Sequence, residues 1–188
     1  MSADLVGPFP DGADPDEYDR LRRRVLWSFP TGLFVVGTTA VIDGEHRYNL
    51  MTANLVVQVA TRPKLVAVAV EAEAVTAQLA RAGRVFSVSL LGREDRAVVR
   101  RFVKPVADVV LDDVGRPVAM AGEPVKLAST GAPVLAGAAA WVDCRLHSLD
   151  ELGSHVLLVG EVVDVDGPPG EDGRDILRME DTRMSYGG

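Results

Sequence analysis

Asp43-Gly44 separates two segments that both favour extended backbone: LFVVGTTAV (33–41) and the run from His46 to Met51. A two-residue Asp-Gly link suits the left-handed backbone of a tight hairpin, whose twist matches the flanking strands. The two segments must then pair antiparallel, because parallel strands need a crossover of a dozen residues or more. The first segment is rich in β-branched residues and reads as a strand.

The rest of the chain repeats this vocabulary. KLVAVAV (64–70) and RVFSVSLL (84–91) read as strands, with the short helix VTAQLARAG (75–83) between them, closed by Gly83. AAAWVDCRLHSL (138–149) and SHVLLVGEVVDV (154–165) read as two further strands joined by a polar link around Asp150 to Gly153. Upstream, Asp14-Pro15-Asp16-Glu17 is a helix start, with an N-cap, a first-turn proline and acids at the positive end of the dipole. REDRAVVRRFV (93–103) suggests an amphipathic helix. Residues 104–135 hold four prolines and three glycines and lack periodicity, which predicts a long, partly ordered excursion of the functional-loop type. Residues 1–13 read as a flexible arm, GPPGEDG (167–173) as a loop, and 176–188 as a tail with room for one short strand. Residues 14–188 therefore form one domain. Hairpin-linked strands with few short helices predict a mainly β, antiparallel barrel rather than a doubly wound sheet.

Bulk properties narrow the function. A chain of 188 residues buries roughly 70% of its unfolded surface and needs no disulfide or metal staple. The formal net charge of −7 opposes nonspecific nucleic-acid binding, which needs a basic face. The lone Cys144 excludes an intrachain disulfide and fits a reducing, cytoplasmic setting. The first twenty residues lack the regions of a signal peptide, and no apolar run reaches the ~20 residues of a membrane span.

No GxGxxG, GxxxxGK[ST], GxSxG or HExxH occurs. Cys144, His147 and His155 match no zinc spacing, and Cys144 and His147 have opposite strand parity, so no metal site is expected. RLRRR (20–24) reads as a solvated helix face balanced by nearby acids. Arg93, Arg96 and Arg100 would share a helical face, with Arg101 and Lys104 beside it. That cluster is either solvated surface or an attractor for a dinucleotide phosphate. Thr52-Ala53-Asn54 interrupts an apolar run, as a polar turn or as a place where a flat ligand meets backbone amides. Thr76 opens a helix, as an ordinary cap or as a phosphate contact. His155, at the start of a strand, is a packing residue or a functional one.

The order of these segments carries a resemblance. TGLFVVGTT, the hairpin, MTANLVVQVATRPKLVAVAV, Thr76 with its helix, RVFSVSLL, GAPVLAGAAAWVDCRL and GSHVLLVGEVVDV follow one another across roughly residues 25–165. This resembles the flavin reductase-like family with its FMN-binding split barrel, an antiparallel Greek-key fold. The resemblance implies that Thr52, Ala53 and Asn54 lie beside the isoalloxazine and that Thr76 lies near the phosphate. His155 matches the histidine near nicotinamide and flavin, as a positioning or proton-donating group. Leu55 stands where the family often has serine, Val57 and Gln58 fall in the following stretch, and Ser154 replaces a usual aspartate. Leu55 and Gln58 are carried as cofactor-binding positions, Gln58 as a substitute for a lost hydroxyl contact. The tail LRMEDTRMSYGG resembles tails in a subset of the family.

What the resemblance implies is a homodimeric, FMN-binding NAD(P)H:flavin oxidoreductase, with FAD as a further candidate flavin. It passes hydride from NAD(P)H to the flavin and supplies a partner monooxygenase. Two alternatives stay open: a flavin-binding electron-transfer protein without NAD(P)H activity, and a barrel that serves only as an interaction module.

Overall fold

The computed structural model describes residues 7–167 and 175–182. Helix α1 (Pro15–Trp27) begins as its sequence dictates, with the Asp14 carboxylate accepting from the Glu17 N–H at 2.9 Å. Phe9, within the expected flexible arm, packs edge-on to Tyr18, and the Arg22 guanidinium lies over the Phe9 ring. Residues 1–6 of that arm lie outside the described residues.

Next come β1 (Phe34–Ile42) and β2 (Glu45–Ala53), joined at Asp43 and Gly44, both with positive φ as the turn requires. β3 (Val56–Thr61), β4 (Lys64–Glu71), α2 (Val75–Gly83) and β5 (Val85–Leu90) follow. Far along the chain, β10 (Ala140–Leu152) and β11 (His155–Asp166) form a long hairpin. Its turn is tighter than expected: strand continues to Leu152, leaving Gly153 and Ser154 as the link.

These strands make one seven-stranded antiparallel sheet in the order β2-β1-β5-β10-β11-β4-β3. Because β2 runs on into β3, the two ends of that order meet at Asn54 and Leu55, and the sheet curls into the expected barrel. β3 was not distinguished as a strand from sequence, because the polar 52–54 stretch masked the continuation.

Inside the barrel, Val36, Val68, Phe86, Cys144 and Leu158 form the core, with Ala77 and Ala80 of α2 closing one end. The fully buried Phe86 contributes roughly 1.5–3 kcal/mol by leaving water. Gly160 faces Phe86 so closely that a Cβ there would lie 2.4 Å from the ring.

Outside the barrel wall, the 104–135 excursion is ordered. It forms β6 (Val109–Leu111), β7 (Pro117–Met120), β8 (Glu123–Leu127) and β9 (Pro133–Leu135), a separate four-stranded sheet. Between this sheet and the wall lies a second core of Leu33, Val35, Leu50, Phe102, Met120 and Leu177. β1 is thus covered on both faces, with the neighbours Val35 and Val36 both fully buried on opposite sides of it.

Residues 93–103 correct the sequence reading. They form two 3-10 turns, Arg93–Asp95 and Val98–Phe102, rather than one amphipathic helix. The three-residue period aligns Val99 with Phe102, and both are fully buried. Arg93, Arg96 and Arg100 therefore do not line a continuous helical face.

Candidate functional site

β4 organises the predicted site. Its Val68 pairs with Val56 on one side and with Leu158 on the other, and its Glu71 pairs with His155. Asn54 precedes Val56 and His155 precedes Leu158, so both lie toward the Glu71 end of β4. The N-terminus of α2 follows immediately, and the Ala72 N–H donates to the Ser154 carbonyl at 3.0 Å. The 52–55 corner, Ser154-His155 and the start of α2 therefore cluster at one end of the barrel.

The side chains divide into two groups. The first faces inward. Thr52 is buried and donates its hydroxyl to the Val99 carbonyl at 2.5 Å, tying the second 3-10 turn to the barrel. Ala53 is buried. Thr76 is fully buried, and its Oγ1 accepts from Asn49 Nδ2 at 2.9 Å. The Thr76 hydroxyl thus has an internal donor in Asn49, while the first N–H groups of α2 have no partner within the helix.

The second group faces outward. Asn54 is half-buried and belongs to neither flanking ladder. Among the described residues, no hydrogen bond involves its side chain or its N–H. Leu55 is 46% exposed. Gln58 is exposed and spends its amide N–H on the Ala60 carbonyl at 3.1 Å, next to the bulge in β3. His155 is half-buried, with Nδ1 2.9 Å from Ser154 Oγ.

Asn49 is a residue that sequence reasoning passed over. Besides holding Thr76, its Oδ1 accepts from the Val106 N–H at 3.2 Å, fastening the excursion to the barrel. The available signal was an asparagine set among apolar strand residues. Asp143 was missed similarly. Fully buried, its carboxylate accepts from Ser129 Oγ, the Thr130 N–H and Thr130 Oγ1, at 2.6 to 3.1 Å. Burial, assisted by the neighbouring Asp143 charge, pushes the Cys144 thiol up to about 12. Cys144 is therefore an inert core residue, as expected.

Two of the five cations around Arg93 are committed to ion pairs. Arg93 pairs with Asp175 and Asp181, and Arg101 pairs with Glu123. Among the described residues, no group of His, Cys, Asp and Glu side chains is placed to hold a metal ion.

The sequence profile of the flavin reductase like domain matches residues 26–186. This chain belongs to that family. It is 32% identical over 169 residues to an NADH-dependent FAD reductase of Streptomyces globisporus, covering 90% of this chain and 87% of the relative. The solved NADH:FAD oxidoreductase of Streptomyces globisporus C-1027, in complex with NAD and FAD fragments, superposes with a TM-score of 0.66 at 32% identity. That likeness covers 95% of this chain and 98% of the other. A third relative is the reductase component of 4-hydroxyphenylacetate 3-monooxygenase from Thermus thermophilus, 31% identical over 152 residues, with 78% and 87% of the two chains covered.

At this corner Asn54 is half-buried with uncommitted donors, and Leu55 beside it is apolar and exposed.

Proposed function

We propose that this flavin reductase-like protein uses NADH to reduce a flavin, FMN or FAD, bound at the 52–55 corner. The observation that carries this reading is Asn54, whose donors stand open where β2 passes into β3, within a family whose similar members are named as NADH-dependent flavin reductases.

A flavin held here would supply the redox chemistry, as the acceptor of hydride from NADH. The chain's residues bind and orient. Asn54 would donate to the polar edge of the ring. Ala53, with only a methyl side chain, would let the backbone approach closely. Leu55 would pack against the ring where a hydroxyl is common in the family. The first N–H groups of α2 would hold the phosphate, since a helix start attracts anions. His155 would position the nicotinamide. Thr52 and Thr76 act from within, by holding the strand and the helix in place.

Two further features belong to this reading. The protein works as a homodimer with the flavin near the subunit contact. It passes reduced flavin to a separate monooxygenase in the cytoplasm; the Thermus relative is named as the reductase component of a monooxygenase. Among the described residues, no helix is long and apolar enough to cross a membrane.

The test is direct. Purified protein is titrated with FMN and with FAD by calorimetry, and then mixed anaerobically with NADH in a stopped-flow spectrometer. Saturable flavin binding followed by rapid loss of the visible flavin absorption is expected. Binding without bleaching by NADH or NADPH would leave an electron-transfer protein, and absence of flavin binding would leave an interaction module.

A further inference from the structure

Helix α2 starts without a side-chain cap. Its N-cap is Ala74, and the N–H groups of Val75, Thr76 and Ala77 have no hydrogen-bond partner among the described residues. No acidic residue stands in its first turn. A helix start normally carries a capping oxygen and attracts acids, because its free N–H groups and the dipole concentrate positive charge there. Here both are lacking, so the turn that leads into the helix is fixed by other means.

Two side chains of the helix itself fix it. The Arg81 guanidinium reaches back nine residues and donates through Nη1 to the Ala72 carbonyl at 3.2 Å. Gln78 Nε2 donates to the Glu73 carbonyl at 3.4 Å. The second terminal nitrogen of Arg81, Nη2, donates to Glu151 Oε1 at 2.8 Å. Glu151 lies near the end of β10, in register with Val156. One planar fork thus joins α2, the turn between β4 and α2, and the β10–β11 hairpin. The Ala72 N–H donates to the Ser154 carbonyl at 3.0 Å. Both backbone polar groups of Ala72 are therefore engaged, one by Arg81 and the other by the hairpin link.

This turn sets how the chain enters the helix. Ala72 is held on both sides, and the Ala74 N–H donates to the Glu71 carbonyl at 3.0 Å. The three free N–H groups that follow inherit their direction from it. Donors fixed in advance bind an anion more tightly than mobile ones, because no ordering remains to be done on binding.

We infer that Arg81 is a positioning residue for the flavin phosphate: anchored by Glu151, its guanidinium fixes the Ala72 carbonyl, and with it the start of α2, in the orientation that receives the anion. The inference rests on the reading of the α2 start as the phosphate contact. Arg81 acts through the backbone, since both of its terminal nitrogens already have partners within the chain.

FMN and riboflavin test this on the full-length protein. They share the isoalloxazine and the ribityl chain, and only FMN carries the phosphate. The ratio of their dissociation constants, measured by calorimetry, reads the phosphate contact, while riboflavin affinity reports an intact ring site. Arg81→Met should lower the preference for FMN roughly three- to tenfold, with riboflavin affinity unchanged. A loss shared equally by both flavins overturns the inference. Arg81→Lys keeps the charge and loses the fork, so it should stay close to Arg81→Met. Full recovery of the preference by Arg81→Lys would mean that charge alone acts, and overturns the inference as well.

Glu151→Ala separates position from charge by sign. It removes a negative charge, which by itself would strengthen FMN binding. It also releases Arg81, and the loss of position should weaken the preference for FMN about two- to fivefold, as befits an exposed pair. A weaker preference supports the inference, and an unchanged or stronger one overturns it. If wild type prefers FMN and every variant keeps that preference, only the role of Arg81 falls. If wild type binds both flavins equally, or neither, the reading of α2 as the phosphate contact falls and takes this inference with it.

Discussion

Asn49 Nδ2 donates to Thr76 Oγ1 at 2.9 Å while Asn49 Oδ1 accepts from the Val106 N–H at 3.2 Å. One side chain on β2 thus joins the start of α2 to the start of the excursion. Both partners leave water to make these bonds, so removing the centre strands two polar groups. Asn49→Ala should cost about 1–3 kcal/mol, lowering Tm by roughly 2–4 °C per kcal/mol for a chain of this size. Thr76→Val should also destabilise, and a double-mutant cycle between the two sites should give a coupling of about 0.5–3 kcal/mol. Flavin affinity per folded molecule should change little in Thr76→Val. A large loss of affinity at unchanged stability would return the Thr76 hydroxyl to the phosphate.

The C-terminal segment offers a contrast between burial and charge. The Leu177 N–H donates to the Leu91 carbonyl and the Leu33 N–H donates to the Leu177 carbonyl, so the segment is tied to the residues just before β1 and just after β5. Its side chain is fully buried in the second core. Leu177→Ala should cost about 2–5 kcal/mol through lost transfer energy and the cavity left behind. Arg93 holds the same segment through Asp175 and Asp181, but it is 44% exposed. Arg93→Ala should cost under about 1 kcal/mol because solvent screens such pairs. Denaturant melts of the two variants check the ranking, and a larger loss for Arg93→Ala would reverse it.

Much of this arrangement was legible in the sequence. Asp43-Gly44 fixed a hairpin because its backbone demands are local. The strands at 64–70, 84–91, 138–149 and 154–165 were visible because β-branched runs need little context. The excursion was misjudged because β6 to β9 are only three to five residues long and gain their order from packing on the barrel wall. The 93–103 segment satisfied a helical pattern, yet the demand to bury both Val99 and Phe102 selected a tighter winding. At the site, the position of Asn54 followed from segment order, whereas the inward commitment of Thr52 and Thr76 depends on Val99 and Asn49. Those partners lie 47 and 27 residues away, beyond any local pattern.

Cys144 gives a pH prediction with a definite sign. Its thiol is pushed from the ordinary 9.0 up to about 12 in the folded protein, chiefly by burial. Between these values the folded state holds a proton that the unfolded state has released. Stability is therefore full below about pH 9 and falls as pH rises toward 12, by at most about 1.4 kcal/mol per pH unit from this group. Denaturant melts of wild type and Cys144→Ala across that range check this, since the variant should lose less stability on the alkaline side. Thiol reagents at pH 8 should label the protein only after unfolding.

In the proposed function His155 is assigned to the nicotinamide and not to the flavin. It pairs in register with Glu71 at the end of β4, and Ser154 Oγ lies 2.9 Å from its Nδ1. Asn54 and Leu55 form the corner on the other side of β4, so flavin binding does not require the imidazole. His155→Ala should leave the flavin Kd within roughly twofold, since only a peripheral contact is removed. The rate of NADH-dependent bleaching should fall about tenfold, the equivalent of one hydrogen bond's worth of positioning. Ser154→Ala, which frees the imidazole without removing it, should fall between wild type and His155→Ala. Single-turnover stopped-flow experiments separate these steps, because the flavin is bound before NADH is added. If His155→Ala instead loses flavin affinity while the bleaching rate of the bound fraction is unchanged, the histidine belongs to the flavin contacts. If neither quantity moves, Glu71, Ser154 and His155 form only a strand end, and nicotinamide positioning rests with other residues.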